Sequence, residues 1–124
     1  MAVHQLSSSK PTLCFKVTGT MTSADLGWLQ FKAQAGIKSW GRINALVVLE
    51  DFQGWKKGPG WDDMSFANEH DQSIDRIAIV GPEQWRDLVS VFAGKGLRST
   101  SVEYFLSSQL EEAKKWLNEA PGVS

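Results

Sequence analysis

Little in this 124-residue chain favours cross-linking, nucleic-acid binding or membrane insertion. A single cysteine, Cys14, rules out an internal disulfide. It lies in a strand-like run and reads as a buried, inert thiol. Net charge is only −1, so no global field attracts polyanions and nucleic acid is not an expected partner. No apolar run approaches the ~20 residues that a membrane-spanning helix needs. The opening "MAVHQLSSSK" has neither the basic nor the apolar region of a secretion signal, so a cytoplasmic location is expected. Phosphate-cradling glycine motifs are missing as well. "AGKGLRST" lacks the GxxxxGK[ST] spacing and follows a helix pattern rather than a strand, and no G-x-G-x-x-G occurs. No cofactor is expected.

What the chain does have is the composition of a globular domain, 42 % hydrophobic and 22 % charged. At this length the expectation is one domain with one real core, spanning 1–124. "AVHQL" reads as a short strand, and "TLCFKVTG" alternates Leu13, Phe15 and Val17 against polar positions, as a strand with one buried face does. The short link between them predicts an antiparallel hairpin. Thr22 and Asp25 have capping-box spacing at the start of a helix whose apolar stripe is Leu26, Leu29, Ala33, Ile37 and Trp40. Trp28, Phe31 and Ala35 form a second stripe, which suggests packing on two sides or a pocket wall.

"INALVVLEDF" looks like a central strand covered on both faces. "WDDMSFANEH" predicts a short helix with Asp62 and Asp63 in its first turn. "DRIAIVG" is another buried strand, followed by a helix from Pro82 with Trp85, Leu88, Val89 and Phe92 on its inner face. "SVEYFL" is the last strand. Ser108 and Glu111 have capping-box spacing before a final helix that faces Leu110, Ala113, Trp116 and Leu117 inward. The order β-β-α-β-α-β-α-β-α predicts an α/β sandwich: a mostly parallel five-stranded sheet with an antiparallel N-terminal edge and four helices.

Chemistry-bearing clusters are sparse. Asp63 and His70 would share a helix face, but roughly 10.5 Å apart along the axis, too far for one metal ion. These acids read better as helix-dipole partners and a solvated face. Glu50 and Asp51 close the central strand on the carboxyl side, where open α/β sheets place ligands. No histidine, cysteine or serine partner for them is identifiable nearby.

The unusual segment is "FQGWKKGPGWDDMSF", residues 52–66, which sets two tryptophans, two phenylalanines and a methionine around a lysine pair. Its glycines suggest a loop leaving the central strand. One helix stripe cannot bury all these side chains, because Trp61 and Met64 share a face that Phe66 does not. Two readings compete. The aromatics complete the core, or they cover an apolar pocket at the carboxyl end of the strand. Lys56 and Lys57 beside Trp55 add contact with an anionic lipid surface, to which two lysines supply only about 2 kcal/mol.

"GTMTSADL", "ALVVLEDFQGW", "DRIAIVGPEQW" and "LEEAKKWL" occur in the order seen in the SpoIIAA-like proteins, a STAS-like group of small bacterial α/β domains. The chain resembles that family over about residues 12–118. The resemblance implies a STAS-type sheet and a non-enzymatic binding or regulatory role. It also implies an architecture similar to that of CRAL-TRIO lipid-transfer domains. Signalling STAS domains carry a phosphorylatable serine after the central strand. Here no serine or threonine lies between Asp51 and Asp63, so that switch does not transfer.

The expectation is therefore a binding module for a lipophilic small molecule. Phe52, Trp55, Trp61, Met64 and Phe66 would form a lid, with Trp28 and Phe31 as pocket wall. Trp55, Lys56 and Lys57 would be the membrane or anion contact. The alternative is a protein-interaction module, with a second copy or another protein docking on the same aromatics.

Overall fold

The computed structural model describes residues 2–6, 11–56, 71–92 and 100–119. Five strands form one sheet in sequential order: β1 (Val3–Gln5), β2 (Thr12–Met21), β3 (Ile43–Trp55), β4 (Ile74–Gly81) and β5 (Ser101–Leu106). β1 runs antiparallel to β2 with Val3 opposite Val17, and every later pairing is parallel. Helices α1 (Ser23–Trp40), α2 (Arg86–Phe92) and α3 (Leu110–Asn118) accompany the sheet. The broad α/β class and the antiparallel edge are as expected from the sequence. Three α-helices are found among the described residues where four were expected, and the remaining one, in 61–70, lies outside them.

Period-two alternation assigns the strand side chains to two cores. Leu13, Phe15 and Val17 of β2 join Leu49, Ile79, Val102 and Tyr104 on the face covered by Ala33 of α1 and Val89 of α2. Leu46, Ala78 and Val80 point the other way, against Ala113 and Leu117 of α3. Burying such aliphatic side chains contributes about 1.5–3 kcal/mol each. At Gly36 the helix lies so close to β2 that a Cβ would stand 2.8 Å from Leu13 Cδ1.

Capping fixes where α1 starts. Thr22 Oγ1 accepts from the Asp25 N–H at 3.2 Å, while Asp25 Oδ2 accepts from the Thr22 N–H at 2.9 Å. Asp25 is buried. Burial pushes its carboxyl up, but hydrogen bonds from the Thr22 backbone and hydroxyl and from the Ala2 backbone outweigh that, and the net shift is downward. α3 is held at its other end. Arg76 Nη1 donates to the Trp116 carbonyl at 2.5 Å, and Asn44 Nδ2 donates to the Leu117 carbonyl at 3.2 Å. Both reinforce carbonyls of the last helical turn, where the Glu119 N–H also donates to the Trp116 carbonyl at 3.2 Å.

Three expectations need correction. The central strand does not stop at Phe52: β3 continues to Trp55, with Phe52, Gly54 and Trp55 opposite Gly19, Thr20 and Met21. Thus Phe52 and Trp55 are strand residues, not loop residues, and Glu50 and Asp51 do not close the strand. Irregular register around Gly19, with positive φ at Gly19, Asp51 and Gly54, lets the ladder resume past the extra residues.

The helix after Pro82 is also not continuous. A 3₁₀ turn, Glu83–Trp85, precedes α2. Its tighter winding breaks the expected i, i+3 phase, so Trp85 and Val89 pack inward while Leu88 is 59 % exposed. The Phe92 side chain lies outside the described residues. At the last helix, a 3₁₀ turn at Ser107–Gln109 replaces the Ser108–Glu111 capping box, and Gln109 Oε1 accepts from the Leu106 N–H at 2.9 Å.

Candidate functional site

In a parallel sheet all strand carboxyl ends lie along one edge, and ligands of open α/β sheets collect there. At that edge β3 delivers Phe52 and Trp55, and the 3₁₀ turn after β4 delivers Trp85. In a regular strand the residue two beyond Leu49 would share its face, and that residue is the exposed Asp51. The extra residue, Asp51 with φ 52°, shifts the phase by one and turns Phe52 into the core.

The three rings meet edge to face. Centroids are 5.4 Å apart for Phe52–Trp55, 4.9 Å for Phe52–Trp85 and 6.0 Å for Trp55–Trp85. Such contacts contribute about 0.5–1.5 kcal/mol each beyond area burial. Gly54 makes room for the cluster, since a Cβ there would stand 3.2 Å from Trp85 Cη2. The Trp85 Nε1–H is buried and meets no acceptor among the described residues.

Polar groups flank the rings. The Lys56 N–H donates to the Met21 carbonyl at 2.9 Å, which ties the end of β3 to β2. Glu50 pairs with Lys16 at 3.6 Å across the strands, with the Glu50 carboxylate largely in solvent. Beside the cluster, the Tyr104 hydroxyl donates to the Pro82 carbonyl at 2.6 Å. Burial pushes the Tyr104 phenol up to about 12, against a smaller opposing effect of Arg86. Burial likewise raises the Cys14 thiol, opposed by Lys114, on the sheet face that carries α3. That thiol is a poor nucleophile at neutral pH.

Of the residues singled out from the sequence, the structure brings together Phe52 and Trp55. Trp61, Met64, Phe66 and Lys57 lie outside the described residues. Trp28 is not beside that pair: it meets Phe15 at 6.2 Å, under the Lys32 ammonium at 5.5 Å from its ring. Phe31 is 64 % exposed. Sequence reasoning missed Trp85, which it assigned to a helix face. The available signal was "GPEQW" directly after a strand parallel to β3, which puts that tryptophan at the same sheet edge. A groove of about 340 Å³ does occur among the described residues, but elsewhere, between Gln5 and the second half of α1.

The architecture defines a small α/β domain built on one five-stranded sheet, with a ring-lined carboxyl edge. Residues 12–118 match the SpoIIAA-like family, and the chain belongs to it. It is similar to the crystal structure of an uncharacterised protein with a SpoIIAA-like fold from Shewanella loihica PV-4. The TM-score is 0.64 at 21 % identity, covering 94 % of this chain and 92 % of that one. That likeness concerns the fold alone. No curated protein matches the sequence. Among the described residues, no helix is long and apolar enough to cross a membrane.

Proposed function

We propose that this SpoIIAA-like chain is a non-enzymatic, cytoplasmic binding module that takes a lipophilic small molecule at the carboxyl edge of its sheet. The observation that supports this reading is the Phe52–Trp55–Trp85 cluster at that edge. It joins apolar surface to a buried indole N–H able to donate to a ligand oxygen. Trp61, Met64 and Phe66 add apolar surface from the chain that follows. Lys56 and Lys57 supply the positive charge that meets a ligand carboxylate or an anionic lipid headgroup, which also makes the module peripheral to membranes.

Binding of cis-parinaric acid, followed by energy transfer from tryptophan, tests this. The parent should bind saturably, and Trp55→Ala/Trp61→Ala should weaken binding at least tenfold while keeping the parent's far-UV circular dichroism. Trp61→Ala alone is the control should the double variant unfold. Equal binding by parent and variants overturns the reading.

A regulatory protein-interaction module is the second reading, favoured by the exposure of Phe31 (64 %), Leu88 (59 %) and Val91 (79 %). Apolar side chains in such positions anchor interfaces. Sedimentation across a dilution series distinguishes self-association, which predicts a mass that falls on dilution.

A further inference from the structure

We propose a second binding site, for a small aromatic carboxylate, in the groove between β1 and the carboxyl-terminal half of α1. It lies at the opposite end of β2 from the ring cluster, beside Leu13, and shares no residue with it. Its volume, about 340 Å³, suits a one- or two-ring ligand.

The lining is ordered along the helix. Lys32, Gly36 and Trp40 follow one another at steps of four, with Ala35 and Ser39 beside them, so all five border one side of α1. From Lys32 to Trp40 the side runs about 12 Å. The two large side chains stand at its ends and three small residues lie between. Leu13 gives further apolar contact, and Gln5 and Ser39 supply neutral hydrogen-bonding groups.

Charge decides the ligand class. The Lys32 ammonium sits 5.5 Å from the centre of the Trp28 ring and meets no carboxylate among the described residues. A ring attracts a cation without neutralising it. The groove therefore offers, at one end, a cation with no carboxylate partner among the described residues and, at the other, the half-buried Trp40 indole. An aromatic acid complements both: its carboxylate reaches Lys32 while its ring lies along Ala35 and Gly36 toward Trp40. An uncharged ring leaves Lys32 unpaired, and an aliphatic dication is repelled.

Isothermal titration with 1-naphthoate, checked by ¹H–¹⁵N chemical-shift mapping, tests the site. The parent should bind with shifts centred on residues 32–40. Lys32→Gln should weaken 1-naphthoate about tenfold. It should leave the already weak binding of uncharged 1-naphthamide unchanged. Ala35→Trp, at an exposed position, should fill the groove and abolish binding. Shift changes at residues 32–40, read separately from those at Phe52, Trp55 and Trp85, distinguish failure of one site from failure of the other. The proposal is overturned by absence of saturable binding, by naphthamide binding as tightly as naphthoate, or by parent-like affinity in Lys32→Gln or Ala35→Trp.

Discussion

The Trp85 indole closes directly over Gly54, where a Cβ would stand 3.2 Å from its Cη2. Backbone geometry sharpens the constraint, because Gly54 has φ +101°, a region that side chains rarely adopt. Gly54→Ala should therefore cost about 1–3 kcal/mol in urea unfolding. Asp51 also has a positive φ, 52°, but in the left-handed region that aspartate tolerates. Asp51→Gly should change stability by less than about 1 kcal/mol. Equal effects at the two positions would contradict this account of the β3 irregularity.

Tyr104 gives a single-site readout, since it is the chain's one tyrosine. Its phenol is raised to about 12 by burial, and its hydroxyl donates to Pro82. Because the folded value lies above the ordinary 10.0, the associated stability is complete below pH 10. It is lost as pH rises through about 12. Spectrophotometric titration of the folded protein should show tyrosinate forming well above the unfolded midpoint. Tyr104→Phe should cost about 0.5–1.5 kcal/mol at neutral pH and flatten the alkaline fall in stability.

Asp25 predicts the opposite limb. Its folded carboxyl lies below the ordinary 3.8, so its stabilising share is present above that value and is lost as pH falls through the lower, folded one. Asp25→Ala should cost about 1 kcal/mol at neutral pH, as loss of half a capping box does. The difference from the parent should shrink on acidification below the ordinary value. A difference that stays constant with pH would show that the carboxylate charge is not what the cap uses.

How far the sequence exposed all this depended on which signals are local. The alternation of Leu13, Phe15 and Val17, the Thr22–Asp25 pair and the Ala33–Ile37 stripe are set by neighbours a few residues apart, and the structure follows them. The continuation of β3 through Gly54 was not legible, because glycines signal a bend until a pairing partner, here Gly19–Met21, is known. Trp85 escaped for a related reason. Its place beside Phe52 depends on the adjacency of β3 and β4 and on a 3₁₀ turn, neither of which leaves a periodic trace. Phe31 erred the other way: its spacing from Trp28 suggested a second buried stripe, yet it is mostly exposed.

The anchoring of α3 supplies the last prediction. Arg76 does two jobs at once: its guanidinium lies 4.7 Å from the Trp116 ring centre, and its Nη1 donates to the Trp116 carbonyl. A lysine keeps the charge, but not the planar face or the fixed fork of donors, so Arg76→Lys should behave almost like Arg76→Ala. Asn44 is different in kind, being 1 % exposed. Asn44→Ala removes a donor from the Leu117 carbonyl and leaves a small void, at about 1–3 kcal/mol. Both changes act on the same carbonyl-bearing end, so the double variant should lose less than the sum of the singles. Hydrogen exchange should report the loss first in the α3 amides, ahead of β2 and β3. Uniformly accelerated exchange across the sheet would mean that Arg76 and Asn44 support the whole core rather than the clamp on one helix end.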